Sequence, residues 1–164
     1  MINMIIRQAV YSDLEQIINL STQLLELHSQ IDPEYYQYTE DYTVKIRSWA
    51  ERHLTSPSQF ILVAEEEQLN DKKIIGFISG YIKFLFPWYK INSVGHISFL
   101  VIDTKFQKKG VGRQLEEAAK RWFRTRNLKY IEVYTSEKNS AGLSAWKAYS
   151  YQPFNKFLRK KISS

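Results

Sequence analysis

Hydrophobic positions along this chain switch between the two periods that distinguish strands from helices. Apolar residues alternate or run continuously in the short segments, and they recur every three to four positions in the longer ones. The predicted strands cover residues 5–10, 60–64, 74–84, 97–102, 130–134 and 154–158, and the predicted helices cover 14–28, 42–53, 111–123 and 140–149. The order β-α-α-β-β-β-α-β-α-β predicts a mixed α/β fold.

Local signals place several of these boundaries. Ser12 and Glu15 have the spacing of a capping box, which predicts the start of the first helix, and Asp32-Pro33 ends that helix. Residues 70–73 have the composition of a turn, so the strands on either side are predicted to form an antiparallel hairpin. The strongest helical pattern places apolar residues at Val111, Leu115, Ala118, Ala119, Trp122 and Phe123.

Composition narrows the class of protein. The chain has 164 residues, of which 44% are hydrophobic and 24% are charged, and this predicts one globular domain over residues 1–164. The absence of cysteine excludes disulfides, thiolate metal sites and cysteine nucleophiles. The apolar runs are short and the N-terminus lacks the features of a signal peptide, so we expect a cytoplasmic protein with no membrane partner. Three scattered histidines lack metal-ligand spacing, so no metal is expected.

The charge pattern points to an anionic ligand at one segment. Lys and Arg total 23 against 17 Asp and Glu, which leaves a net charge of +6. In segment 101–113 a buried strand passes through a polar turn with Gly110 and Gly112 into the strongest helix. The first amides of a helix lack intrahelical acceptors, and glycines let a ligand approach the backbone. Three basic residues surround the same turn: Lys108, Lys109 and Arg113. The segment predicts a phosphate or pyrophosphate site, with an ordinary strand-to-helix turn as the alternative.

These residues also carry a family resemblance. The run Gln107-Lys108-Lys109-Gly110-Val111-Gly112 resembles the signature of the GNAT superfamily of acyl-CoA-dependent N-acetyltransferases. A looser match over residues 139–151 is similar to the Asn-led helix of that family. The resemblance implies a mostly antiparallel twisted sheet of six to seven strands with about four flanking helices. It also implies a splayed cofactor wedge between the fourth and fifth strands.

The resemblance implies acetyl-CoA as the cosubstrate in that wedge. The pyrophosphate would meet the loop and helix start formed by Gln107, Lys108, Lys109, Gly110, Val111, Gly112 and Arg113. The pantetheine arm would pair along Val101 and Ile102, and Asn139 and Trp146 would contact it. In this family the substrate amine attacks the thioester directly.

A general base is expected because an alkyl ammonium, with a pKa near 10.4, must lose a proton before it attacks. The histone-modifying branch of the family carries a glutamate six residues before the position of Ile102, and this sequence has His96 there. An unperturbed histidine is mostly neutral at pH 7 and accepts a proton. Strand alternation predicts that His96 shares a face with Ser98, Leu100 and Ile102. A hydrogen-bonded structural histidine is the alternative.

Other candidate residues follow from the same resemblance. The family often has a tyrosine seven residues after the motif asparagine, to protonate the leaving thiolate; Trp146 stands there, and Tyr149 is the candidate replacement. His28, Glu34 and Trp88 are predicted to contact the acceptor. A structural histidine, a solvated acidic loop and a dimer contact are the respective alternatives. The aromatic loop 84–89 suits an acceptor wall and a homodimer contact equally well.

Three functions therefore remain in order of preference. The first is an acetyl-CoA-dependent N-acetyltransferase acting on a primary amine of a small molecule, a lysine side chain or a protein N-terminus. The second is an acyl-CoA-binding sensor with little catalysis, which Trp146 and the missing strand glutamate keep open. The third is a nucleic-acid-binding protein, which rests on net charge and lacks the usual recognition motifs.

Overall fold

The computed structural model describes residues 2–67 and 72–163. Its strands are β1 (Met4–Gln8), β2 (Gln59–Glu67), β3 (Lys72–Phe84), β4 (Ser93–Ile102) and β5 (Ile131–Val133). Its α-helices are α1 (Leu14–Ile31), α2 (Tyr42–Thr55), α3 (Val111–Arg124) and α4 (Ser140–Ala148). The chain forms two compact units, residues 1–134 and residues 135–164. The first holds the sheet and three helices, and the second holds α4.

The strands of the first unit form one mixed sheet in chain order, β1-β2-β3-β4-β5. Strands β1 to β4 are antiparallel, and β5 joins β4 in parallel. The predicted β2–β3 hairpin is confirmed. The predicted turn at 70–73 falls partly outside the described residues, since positions 70 and 71 are not among them.

Alternating side chains of β2 and β3 give the sheet two apolar faces. On one face, Ile61, Val63 and Phe77 are buried in a cluster with residues of α1 and α2. On the other face, Phe60 packs against Trp122 and Phe123 of α3, with ring centroids 4.6 and 5.3 Å away. A Cβ on Gly95 of β4 would lie 2.7 Å from the Phe123 ring, so glycine permits this close helix–strand approach. The sheet is thus the middle layer of three.

The start of α1 differs from the predicted capping box. Ser12 lies in a 3-10 turn, Tyr11–Asp13, and α1 begins at Leu14. The Asp13 carboxylate accepts a 2.8 Å hydrogen bond from the amide of Val10 and pairs with Arg7 at 2.7 Å. Glu15 pairs with Arg47 of α2. The capping box is therefore wrong, because Asp13 satisfies the turn and Glu15 is used between helices.

The predicted last strand, 154–158, is also wrong, and the sheet of the described residues has five strands instead of six to seven. Phe154, Phe157 and Leu158 are each at least 85% exposed. Their spacing explains the error, because a half-buried strand needs apolar residues at every second position and Phe157 and Leu158 are adjacent. Hydrophobic content alone did not identify a strand here.

Candidate functional site

The segment after β4 is an exposed turn that ends at the N-terminus of α3. Asp103 accepts a 3.0 Å hydrogen bond from the amide of Lys105 and closes a short 3-10 turn, Thr104–Phe106. Lys108 and Gly110 have positive φ angles, 58° and 85°. The backbone thereby reverses immediately before α3, whose first ladder bond runs from Gln114 N to Gly110 O at 3.2 Å. The amides of a first helical turn point out of the helix end, where an anion can meet them.

The side chains of this loop differ in their burial and in what they contact. Val101 and Val111 are buried, 5% and 1% exposed, so only their backbones can meet a ligand. The Gln107 side-chain amide donates to the carbonyl of Ile102 at 3.3 Å and ties the loop to the end of β4. Lys108, Lys109 and Arg113 are exposed. Gly112 lies in the first turn of α3.

An additional cation, which the sequence did not indicate, lies at the same loop. The Nζ atoms of Lys73 and Lys109 lie 4.6 and 5.2 Å from the ring centroid of Phe106. Lys73 also lies 3.5 Å from the Asp103 carboxylate. Lys73 is the second residue of β3 and is far from the loop in sequence. The loop therefore carries positive charge from two separate chain segments, as a multiply charged anion requires.

Strands β4 and β5 separate at the end of their short pairing. β5 pairs only with Gly95–Ile97, whereas β4 continues to Ile102. In the described sheet, residues 98–102 thus face a strand partner on the β3 side alone. At about 3.3 Å per residue, the five residues 98–102 give an unpaired edge about 17 Å long. This unpaired edge, which we call the split, lies where the resemblance implied a wedge between the fourth and fifth strands.

A bulge in β4 changes which residues share a face. Ser79 pairs with Phe99 and Gly80 pairs with Ile97, so Ser98 is an extra residue in the ladder. Beyond an extra residue the side-chain alternation reverses. The prediction that His96 shares a face with Ser98, Leu100 and Ile102 is therefore wrong. His96 shares its face with Phe99 and Val101, which is the face that α1 and α2 cover.

His96 lies at the closed end of the split, within a polar cluster. It is 6% exposed, and its ring centroid lies 4.9 Å from that of Tyr81 and 4.8 Å from that of Tyr134. Its Nδ1 atom is buried and has no hydrogen-bond partner among the described residues. Glu132 is its ladder neighbour on β5. This environment leaves a buried imidazole nitrogen able to accept a proton.

Lys83 connects the remaining members of this cluster. Its Nζ donates to Glu132 Oε2 at 2.8 Å and to the Tyr134 hydroxyl oxygen at 2.7 Å. We call Lys83, His96, Glu132 and Tyr134 the apex cluster. Of these four residues, only His96 was predicted from the sequence. Glu132 and Tyr134 lie two positions apart on the predicted strand 130–134 and so share a face, which was the one signal in the sequence that linked two further members of the cluster.

The charges of the apex cluster shift two pKa values. Burial lowers the pKa of His96, the Lys83 ammonium lowers it further, and the Glu132 carboxylate opposes them. Burial pulls the pKa of Lys83 down, but its hydrogen bonds to Glu132 and Tyr134 outweigh burial, so this pKa lies above its ordinary value. Near neutral pH the cluster holds a neutral imidazole beside a paired ammonium.

The predicted residues of the second unit belong to α4. The Asn139 side-chain oxygen accepts a 2.9 Å hydrogen bond from Gly142 N and caps this helix, which confirms the Asn-led helix. The rings of Tyr149 and Tyr151 lie 5.9 and 5.1 Å from that of Trp146. The cofactor contacts of Asn139 and Trp146 and the catalytic role of Tyr149 stay predictions from the resemblance.

The predicted acceptor residues lie on three separate elements. His28, on α1, is half-buried against the Tyr36 ring at 5.0 Å, and burial lowers its pKa. Glu34 lies in the exposed connection between α1 and α2. Trp88 is 71% exposed in the β3–β4 loop and stacks on Phe86 at 4.7 Å. Their contact with an acceptor stays a prediction.

Two features of other classes of protein, metal-binding clusters and membrane-spanning helices, are not found among the described residues. Residues 2–67 and 72–163 contain no group of three or more potential metal-binding side chains. In the same ranges no helix has the length and apolar character that crossing a membrane requires.

Comparison with known proteins identifies the fold of this chain. No curated protein matches the sequence. A mutant of the BH1408 protein from Bacillus halodurans superimposes with a TM-score of 0.84 at 19% identity, covering 97% of this chain and 99% of that one. The aminoglycoside N-acetyltransferase AAC(6')-Iy, solved in complex with CoA, gives 0.77 at 18% identity, covering 100% and 97%. A predicted acetyltransferase from Clostridium acetobutylicum, solved with acetyl-CoA, gives 0.75 at 18% identity, covering 98% and 97%.

The family itself is shown by sequence. The model of the acetyltransferase (GNAT) family matches residues 21–150, which include the loop after β4 and the whole apex cluster. The match extends over more than half of the chain. This chain therefore belongs to the GNAT family of acetyltransferases, whose cosubstrate is acetyl-CoA.

Proposed function

We propose that this protein transfers the acetyl group of acetyl-CoA to a primary amine. The observation that carries the proposal is the split, which joins an anion-binding helix start at its open end to a buried histidine at its closed end. The loop of residues 107–112 would hold the pyrophosphate through backbone amides, with Lys108, Lys109 and Arg113 adding charge. The free edge of β4 at Val101 and Ile102 would pair with the pantetheine arm.

His96 is assigned as the general base. When bound, acetyl-CoA supplies an activated thioester, and the remaining requirement is a neutral amine. Because burial lowers the pKa of His96, its ring is neutral at physiological pH. The buried Nδ1 atom has no hydrogen-bond partner among the described residues, so it can accept the amine proton. His96 lies on the sheet face that α1 and α2 cover, and two of the predicted acceptor residues belong to the same elements, His28 to α1 and Glu34 to the α1–α2 connection.

Charge in the first helices supports a cationic acceptor. Residues 8–44 contain seven acidic residues and neither lysine nor arginine, in a chain whose net charge is +6. Three of these carboxylates pair with basic residues: Asp13 with Arg7, Glu15 with Arg47 and Asp41 with Lys45. Glu34 lies in the same segment, and we assign it to the acceptor together with His28 and Trp88. Aminoglycosides, the substrates that the name of AAC(6')-Iy states, are cationic amines and belong among the acceptors to be tried.

The direct test is release of CoA thiol from acetyl-CoA in the presence of amines. Purified protein is offered separate pools of polyamines, aminoglycosides, amino acids and lysine-containing peptides, with a reaction lacking acceptor as the control. We expect acceptor-dependent release with a pool of polycationic amines. Binding of CoA without release from any pool would overturn the proposal and favour an acyl-CoA sensor.

A further inference from the structure

The apex cluster contains a second proton-carrying group besides His96. Tyr134 is the first residue after β5, so it lies where pairing with β4 has ended and the split begins. Its side chain is 66% exposed, unlike that of His96. A ligand extending along the split from the loop after β4 would end beside this phenol.

The contacts of Tyr134 leave its proton available. The hydroxyl oxygen accepts a hydrogen bond from Lys83 Nζ at 2.7 Å, so this contact does not use the O–H bond. Lys83 is itself oriented by Glu132 at 2.8 Å. The Lys83 ammonium therefore holds the phenol in place while its O–H bond can point toward a ligand in the split.

His96 borders the same end of the split. Its ring meets the Tyr134 ring nearly edge-on, at a centroid distance of 4.8 Å and an interplanar angle of 61°. This is a contact between the two rings, and the His96 Nδ1 atom has no hydrogen-bond partner among the described residues. The histidine and the phenol are therefore neighbours that would act on different protons, the first on the amine and the second on the departing sulfur.

We propose that Tyr134 is the catalytic residue that protonates the departing thiolate, with Lys83 as its positioning residue. The inference rests on the proposed acetyl transfer. The amine nitrogen bonds to the acetyl carbon, the carbon–sulfur bond breaks, and its electron pair goes to sulfur. The Tyr134 proton passes to that sulfur, and the phenolate pair stays beside Lys83 until the exposed hydroxyl regains a proton from solvent. The acceptor ammonium loses two protons in forming the amide: His96 takes one before the attack and later releases it to solvent, and solvent takes the other, so the protein regains its starting state.

This assignment accounts for Trp146, which has no acidic proton at the position where the family often has tyrosine. Tyr149, one turn further along, is the competing donor. Because a thiol with a pKa near 8.5 leaves readily, the donor's contribution is expected to be smaller than the roughly 100-fold or more that is usual for general acids. We therefore expect Tyr134→Phe to lower kcat about tenfold and to leave the KM for acetyl-CoA unchanged.

The deciding experiment combines turnover with equilibrium binding. Wild type, Tyr134→Phe, Tyr149→Phe and Tyr130→Phe are compared, because Tyr130 is an exposed tyrosine that precedes β5 and has no place in the cluster. Calorimetry at a pH where the CoA thiol ionises gives the affinities of CoA and of desulfo-CoA. We expect Tyr134→Phe to weaken CoA binding about tenfold and desulfo-CoA binding not at all, since only the thiolate accepts the bond.

Each outcome bears on one proposal. Wild-type kcat and an unchanged preference for CoA over desulfo-CoA in Tyr134→Phe would overturn the inference, as would loss of both in Tyr149→Phe instead. Lys83→Met should reproduce part of the kcat loss, and its wild-type behaviour would exclude the positioning role. A wild-type protein that binds CoA but does not turn over contradicts the proposed function, while the binding comparison still decides whether Tyr134 meets the sulfur. A wild-type protein that does not bind CoA overturns both.

Discussion

The two ends of β4 differ in the exposure and the contacts of the charged groups beside them. At its C-terminal end, the loop of residues 103–110 is largely exposed and carries exposed lysine side chains. At its N-terminal end, the apex cluster buries His96 and holds Lys83 between two specific partners. Charge near water attracts an anion of any shape, whereas a partly buried group can have its proton affinity set by neighbours. One end is suited to binding, and the other to chemistry.

The largest effect is expected from a variant that disrupts CoA binding at the loop after β4. Gly110→Val puts a β-branched residue at a φ of 85°, where such residues are strained, although a Cβ itself would meet nothing within 4 Å. The turn before α3 should shift, and CoA affinity measured by calorimetry should fall at least about 100-fold. Gly110→Asn is the matched control, because asparagine tolerates the left-handed region, and it should retain most affinity. Equal affinities for both variants would show that the backbone conformation does not matter.

The next largest effect is expected from a variant that removes the proposed base and leaves CoA binding intact. His96→Gln keeps a polar side chain of similar size but removes the base, so kcat should fall about 100-fold with unchanged CoA affinity. Because the pKa of His96 is lowered, its protonation should cause activity to fall with decreasing pH below about 6.5. A pH–rate profile of His96→Gln should lack that acidic limb. If the limb persists in the variant, another group is the base.

The same contrast explains how much the sequence could predict. The proposed binding end is a strand, a turn and a helix in 13 consecutive positions, 101–113, so local rules were enough to predict its backbone structure. The apex cluster joins Lys83 to Glu132 and Tyr134, which are 49 and 51 positions away. Only the register of β3, β4 and β5 brings these residues together. Pairing register between distant strands is not encoded in any single segment.

The face of His96 was predicted incorrectly for a related reason. Alternation holds within a regular strand, but Ser98 is an extra residue opposite β3. Nothing in the run Gly95–Ile102 identifies a bulge, because its residues suit a regular strand. The hydrophobic periods correctly predicted the four helices and the hairpin; α1, α2 and α3 each bury one stripe, and the hairpin strands are buried on both faces. The segment 154–158 shows the limit of predicting a strand from hydrophobic content, because its apolar residues do not alternate and it forms no strand.

A smaller effect is expected from ionic strength, which should act differently on the two ends of β4. The Debye length falls from about 10 Å at 0.1 M salt to about 3 Å at 1 M, which screens exposed lysines more than partly buried ones. CoA affinity should therefore fall about tenfold over this range through Lys108 and Lys109. The acidic limb of the pH–rate profile should move little, because Lys83 and Glu132 are only 27% and 24% exposed. Equal sensitivity of the two quantities would contradict the distinction between the ends.

The smallest expected effect concerns stability and compares one lysine from each end. Lys83→Met leaves the Glu132 carboxylate without its 2.8 Å ion pair and the Tyr134 oxygen without a donor, so the free energy of unfolding should fall by about 1 kcal/mol. Lys109→Met removes an exposed charge that contacts only the Phe106 ring among its described interactions, so it should change stability by less than about 0.5 kcal/mol. Urea unfolding of both variants measures the difference. A larger loss for Lys109→Met would mean that the loop after β4, and not the apex cluster, depends on its charges for folding.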